Sequence, residues 1–169
     1  LIFLIKALVV ALQQFPQFNS SLSEDGKELI RKRYFNISIA VDGPLGLLVP
    51  VLRDADRKTV DELAAELSAT SKQAREKGLP MAAMEGGSMT ISSLGGIGGT
   101  SFTPIINPPE VAILGVTPMR NVAHWTGKEF EPRQMMPLSL SYDHRVINGD
   151  DAARFLRFIA QVVDNPANL

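Results

Sequence analysis

LSLSYDHRVINGDDAARF, residues 138–155, holds the whole fold class in eighteen positions. An apolar stretch that alternates like a strand runs into Asp-His-Arg. Asn148-Gly149 then offers a sharp turn, and a helical pattern follows from Asp150 or Asp151. Ala152, Phe155, Leu156, Ile159, Val162 and Val163 recur at helical spacing and predict its buried stripe. Side chains alternate along a strand, so an extended backbone through Arg145 would put Leu140, Tyr142 and His144 on one face. Ser141, Asp143 and Arg145 would share the other, where Asp143 and Arg145 can pair and tie down the strand end. His144 has two readings on that apolar face. It is a satisfied core histidine, or it is a general base, because burial favours the neutral imidazole that a base must be. The helix start just beyond it carries positive dipole character and suits the mouth of a site.

Working outward, SMTISSL (88–94) reads as a second strand. Met89 and Ile91 should meet the core, which turns Ser88, Thr90 and Ser92 toward a polar cleft or an interface. Ser92 is otherwise a plain turn former at a strand end. The loop GGIGGTSFTP (95–104) matches neither a dinucleotide fingerprint nor a P-loop, and no G-x-S-x-G elbow occurs. EVAILGVTPM (110–119) reads as a strand, TGKEFEP (126–132) as a hairpin turn, and MMPLSLSYDHRV (135–146) as one continuous strand. His124 has no partner at motif spacing and reads as a surface or packing residue.

The clearest helix is TVDELAAELSATSKQAREKG (59–78). Thr59 and Glu62 have the spacing of a capping box, Val60, Leu63, Ala64 and Leu67 form its apolar stripe, and Gly78 and Pro80 stop it. The first helix should end near Phe15, before Pro16, with Lys6, Gln13 and Gln14 as a narrow polar stripe. FNSSLSEDGKEL (18–29) reads as a loop turning at Asp25-Gly26. Asn36–Val41 alternates as a strand with Ile37, Ile39 and Val41 on one face. Asp42-Gly43-Pro44 turns the chain, and LGLLVPVL (45–52) continues extended. Together these elements predict one α/β domain with a mixed, largely antiparallel sheet.

The 169 residues suit one domain, with 45% hydrophobic and 21% charged residues. A formal net charge of −1 gives no global basic field for nucleic acid or an anionic membrane. The absence of cysteine removes disulfides, thiolate metal sites and a cysteine nucleophile, and two histidines make a poor zinc set. The apolar N-terminal run is broken by Lys6 and ends by Gln13, short of the roughly 20 residues of a membrane span. It begins without methionine inside a helical pattern, so part of the domain is expected upstream.

Asp143-His144-Arg145-Val146 followed by Asn148-Gly149 resembles the D-H-R-x-x-D/N-G signature of the dihydrolipoamide acyltransferases. These are the E2 catalytic cores of the 2-oxo acid dehydrogenase complexes, related in fold to chloramphenicol acetyltransferase. FPQFNSSL (15–22), ISIAVDGPLGLLVPVLRDAD (37–56) and TISSLGGIGGTSFTPIINPPEVAILGV (90–116) resemble further family segments in the family's order. The wording of 90–105 is most similar to the bacterial acetyl-transferring type of the pyruvate dehydrogenase complex.

The resemblance implies a chloramphenicol acetyltransferase-like two-layer sandwich. It makes residues 1–169 an acyltransferase catalytic domain lacking its N-terminal part, with lipoyl and peripheral-subunit-binding domains upstream. It implies acetyl transfer between dihydrolipoamide and coenzyme A, with His144 as general base, Ser92 as hydrogen-bond donor to the tetrahedral oxyanion, and Asn148 in a hydrogen-bonding role. Many members carry Asp at that last position. The lipoyl group would sit on an upstream domain, and no metal is implied. The implied partners are further copies, in trimers and a polyhedral core, with the E1 decarboxylase and E3 dihydrolipoamide dehydrogenase. Nucleic acid and membrane are not among them, and the implied location is the bacterial cytoplasm.

Three other readings stand beside it. One is an assembly scaffold with weak or lost transfer, and another is a succinyl or branched-chain acyltransferase. A serine hydrolase would form an acyl-enzyme at Ser92, but the chain lacks an elbow motif and an acid placed to orient His144.

Overall fold

The computed structural model describes residues 1–44 and 46–165. Helix α1 spans Ile2–Gln14 and gives way to a 3-10 turn at Pro16–Phe18. Strands β1 (Ser20–Leu22) and β2 (Leu29–Arg31) form a small antiparallel hairpin. The loop predicted over 18–29 is therefore partly strand, and its turn uses Gly26 at φ 68. Next come β3 (Ile37–Ile39), β4 (Val41–Gly43), β5 (Gly46–Leu48) and β6 (Val51–Leu52). Of the predicted extended run 45–52, Leu45 lies outside the described residues. Helix α2 is Val60–Lys77. Then follow β7 (Met89–Ser93), β8 (Ala112–Val116), β9 (Arg120–Trp125), β10 (Phe130–Met135), β11 (Leu138–Tyr142) and helix α3 (Gly149–Asp164).

The main sheet has five strands in the order β11-β8-β7-β3-β6. Its centre, β8-β7-β3, is parallel, and β11 and β6 add antiparallel edges. Hairpin-length connections favour a mixed, largely antiparallel sheet. That character lies in the separate two-stranded pairs β1-β2, β4-β5 and β9-β10, whereas the main sheet is mixed. Parallel strands buried on both faces do not alternate, and Ile37, Ser38 and Ile39 are all buried.

The core lies between this sheet and the helices. Leu4, Ile5, Leu8 and Leu12 of α1 and Phe155 and Ile159 of α3 are buried in one cluster with Ile37, Met89, Ile91 and Leu114. Phe18 stacks on Phe155 with ring centroids 3.9 Å apart. The stripe predicted for α3 holds, with Ala152, Phe155, Ile159 and Val162 buried and Leu156 and Val163 packed at its margin. Lys6 leaves α1 to donate to the carbonyls of Ala55 (3.3 Å) and Lys58 (3.0 Å), which ties α1 to the segment that starts α2.

The capping box of α2 is formed: the Thr59 hydroxyl accepts from the Glu62 amide, and the Glu62 carboxylate accepts from the Thr59 amide. Such a cap contributes about 1 kcal/mol. The stripe of α2 is narrower than predicted. Leu63 and Ala74 are buried, Val60 and Leu67 half-buried, and Ala64 exposed.

Candidate active site

Ser92 lies near the end of β7, a central strand paired in parallel with β3 and β8. As expected, Met89 and Ile91 are fully buried in the core. Their neighbours on the opposite face do not form an open polar face, which corrects the expectation for Ser88 and Thr90. Both are buried. The Ser88 hydroxyl accepts from the Asn36 amide (3.1 Å) and donates to the Tyr34 carbonyl (3.2 Å). Thr90 donates to a Glu110 carboxylate oxygen at 2.6 Å.

Ser92 is the most open of the three. It is half-buried and lines a cavity of about 400 Å³ whose other walls include Ala40, Val49, Phe102, Pro104 and Ile113. Its register partner is Gly115. A Cβ on Gly115 would sit 2.9 Å from the Phe102 ring, so the missing side chain lets Phe102 close down beside Ser92. The cavity is walled mainly by apolar side chains, where a hydroxyl donor counts for more than it does in water.

His144 is carried by a turn. The strand of 135–146 is broken at Pro137 and ends at Tyr142. The Asp143 amide bonds the Val111 carbonyl at 2.8 Å, and the Asp143 carbonyl accepts from the amides of Val146 and Ile147. The backbone thus leaves the extended path before His144, and His144 does not share a buried face with Leu140 and Tyr142. Its side chain is exposed, with its ring centroid 5.7 Å from that of Tyr142.

The predicted Asp143–Arg145 pair is present as a fork: Arg145 Nε donates at 3.0 Å and Nη2 at 2.6 Å to the two carboxylate oxygens. Bonding to Arg145 holds the Asp143 carboxyl below its usual range. Because Asp143 is engaged there, it does not orient the imidazole. Asn148 caps α3 through its backbone, its carbonyl accepting from the Ala152 amide, while its side chain makes no capping bond and is exposed.

The sheet register separates the two candidate reacting groups. Ser92 is level with Gly115 of β8, and Tyr142 is level with Ala112. With a rise of about 3.3 Å per residue and about 4.8 Å between strands, the Ser92 and Tyr142 backbones are roughly 14 Å apart. His144 lies beyond Tyr142. One copy of the chain therefore presents Ser92 at one end of the sheet and His144 with Asn148 at the other.

Sequence reasoning missed Glu110. It is buried at the entry to β8, and its carboxylate accepts from Ser38 and Thr90. Burial pushes its pKa up, while Thr90, Ser38 and the charge of Lys32 oppose that rise. The available signal was an acid directly before the wholly apolar run Val111–Leu114, a place where charge is costly unless paired.

The family model described as 2-oxoacid dehydrogenases acyltransferase (catalytic domain) matches residues 1–169. The chain belongs to this family. Among relatives of this acyltransferase domain, the dihydrolipoyllysine-residue acetyltransferase component of the pyruvate dehydrogenase complex of Pseudomonas aeruginosa is 57% identical over 160 residues, which are 95% of this chain and 29% of the relative. The same component of Haemophilus influenzae is 52% identical over 162 residues, 96% of this chain and again 29% of the relative. The domain thus spans under a third of the length of these relatives.

Among solved structures, the dihydrolipoamide acetyltransferase of Azotobacter vinelandii superimposes with a TM-score of 0.95 at 53% identity, covering 98% of this chain and 68% of that one. Chloramphenicol acetyltransferase superimposes with a TM-score of 0.64 at 15% identity, over 96% of this chain and 76% of that one, and shares the fold. Among the described residues, no helix is long and apolar enough to cross a membrane.

Proposed function

We propose that this domain transfers an acetyl group between dihydrolipoamide and coenzyme A, at a site completed by two copies of the chain. The observation that carries this reading is a match of three residues. The Azotobacter vinelandii structure belongs to a study of a serine, a histidine and an asparagine in that enzyme's catalytic mechanism, and their spacing is that of Ser92, His144 and Asn148. The separation of Ser92 from His144 within one copy supports a shared site, because an interface can bring one copy's turn to another's cavity.

The chemistry needs no nucleophile from the protein. One substrate's thiol attacks the other's thioester carbonyl. His144 takes the thiol proton, the sulfur–carbonyl bond forms, and a tetrahedral oxyanion results. Ser92 donates a hydrogen bond to that oxyanion, a contribution of roughly 3–4 kcal/mol for one such donor. Collapse breaks the original thioester bond, and His144 returns the proton to the departing thiolate. An ordinary imidazole and an ordinary thiol titrate at about 6.5 and about 8.5, close enough for transfer both ways. A cavity of about 400 Å³ with mostly apolar walls suits the slender end of a pantetheine arm or a lipoyl chain.

The same kinship supports a wider assembly. A related structure is the cubic core of a pyruvate dehydrogenase multienzyme complex, at 53% identity and a TM-score of 0.95. This domain would form trimers within a polyhedral core, served by E1 and E3 components and by upstream lipoyl and subunit-binding domains, in the bacterial cytoplasm.

The test is acyl exchange from acetyl-, succinyl- and branched acyl-CoA to dihydrolipoamide, using the full-length protein. Preference for acetyl is expected. Assembly without transfer of any acyl group would leave the scaffold reading, and preference for another acyl group would reassign the substrate.

A further inference from the structure

Glu110 spans three strands. Its Oε1 accepts from Ser38 of β3 at 2.9 Å, and its Oε2 from Thr90 of β7 at 2.6 Å, while Glu110 itself leads into β8. Glu110, Ser38 and Thr90 are 6%, 1% and 1% exposed. Both hydroxyls donate to the carboxylate, and whenever it is ionised these bonds are charge-assisted, the strong kind.

On the Gly87 side the carboxylate is tightly packed. A Cβ on Gly87 would collide with the Ser38 hydroxyl and with Glu110 Oε1. Lys32 donates to the Gly87 carbonyl at 2.7 Å and adds a positive charge nearby. A buried acid of this sort is weak evidence for stability, since apolar residues of the same volume often serve as well. What it supplies is a set of directional bonds across β8, β7 and β3.

Those bonds end two residues short of Ser92. Thr90 and Ser92 point to the same face of β7, and both line the cavity that holds the Ser92 hydroxyl. We infer that Glu110 is a positioning residue for Ser92: by anchoring Thr90 to the entry of β8, it sets the lateral position of β7 and aims the Ser92 hydroxyl into the cavity. The inference rests on the oxyanion role proposed for Ser92. A donor of that kind works only when it is already in place as charge develops.

The test is a mutant cycle in the full-length protein, measuring kcat and the KM for coenzyme A in acetyl exchange, with assembly followed by sedimentation. Ser92→Ala alone comes first. Normal kcat there removes Ser92 from the chemistry, and this inference with it. Given a Ser92→Ala defect, Glu110→Ala should lower kcat about 10- to 100-fold with KM unchanged, the scale of a small misplacement.

The same change made in Ser92→Ala should have less than about a threefold further effect, because the two residues act as one unit. Glu110→Gln should stay within about threefold of the parent, since an amide can accept from one hydroxyl and donate to the other. A normal kcat in Glu110→Ala, or an equal loss with and without the Ser92 hydroxyl, overturns the inference and leaves the role of Ser92 standing. If Glu110→Ala does not assemble, Thr90→Val carries the same cycle. It keeps the side-chain shape and removes one bond, with a loss of about 5- to 10-fold expected only when Ser92 is present. Equal loss in both backgrounds overturns the inference there too.

Discussion

Ser92 and His144 stand at opposite ends of one sheet, Ser92 level with Gly115 and His144 beyond Tyr142, which is level with Ala112. No rotamer change closes that gap, because β7, β8 and β11 are locked together by their ladders and by the core beneath them. Among the described residues, no histidine lines the serine's cavity, and His144 stands exposed on its turn beside the Tyr142 ring. Each half has the form that a neighbouring copy could complete.

Separate roles predict separate kinetic signatures. His144→Ala should lower turnover by about 10²–10⁴, the usual range for losing a general base, and leave assembly intact. Near-normal turnover would take His144 out of the mechanism. Ser92→Ala should lower kcat with little change in KM for coenzyme A, because its bond strengthens in the transition state. A raised KM at constant kcat would make Ser92 a binding residue.

Asn148 caps α3 with its backbone and leaves its amide free of capping. Asn148→Asp should be tolerated, since Asp serves equally at an N-cap and can still hydrogen-bond. Asn148→Leu keeps the backbone cap but offers no side-chain hydrogen bond, and should lose activity. Equal acetyl exchange by the two variants would reduce the position to packing.

Gly87→Ala should destabilise the domain by about 1–3 kcal/mol, the cost of overpacking a filled site. The added methyl would strike Ser38 and Glu110. An unchanged denaturation midpoint would show that this corner can yield.

Glu110 gives stability a pH dependence of known sign. Burial raises its carboxyl above the ordinary 4.5. Near and below that value, both folded and unfolded states hold the proton and no ionic penalty arises. As pH climbs toward the raised folded value, the unfolded state releases its proton first, so stability is lost. Lys32 acts on Glu110 through its charge, and Glu24, Asp143 and Arg145 ring the adjoining cavity. All four remain in Glu110→Gln, so the difference from the parent isolates Glu110 to first order. That variant's melting temperature relative to the parent should therefore rise from pH 4 to pH 8. A flat or falling difference would contradict the raised pKa.

Local signals were read well where one element decides its own form. Thr59 and Glu62 name the start of α2, and the periodic residues of α3 name its buried face, because capping and amphipathicity are properties of a single segment. The sequence misled where a second element intervenes. Ser88 and Thr90 look like part of a cleft- or interface-facing set until Asn36, Tyr34 and Glu110 are brought against them by strand pairing. His144 looks like the next residue of a strand until the Val111 carbonyl takes the Asp143 amide and the chain turns. The proposed pairing of Ser92 with His144 comes from family motifs, but their distance follows from strand order, which no periodicity carries.

That distance leads to a complementation experiment. In a site within one copy, each Ser92→Ala or His144→Ala subunit is inactive whatever surrounds it, so mixtures of the two stay inactive. In a site between copies, each variant subunit still owns one intact half. A mixed trimer then contains an interface where an intact Ser92 cavity meets an intact His144 turn, and another where the two defective halves meet. Unfolding and refolding the two variants together should therefore restore acetyl exchange that neither shows alone. Mass spectrometry, with one variant isotope-labelled, establishes that mixed trimers have formed. Activity should scale with the mixed fraction, peaking near equal proportions of the two. Mixed trimers that stay inactive would place both residues' work within single copies, against the separation set by the sheet.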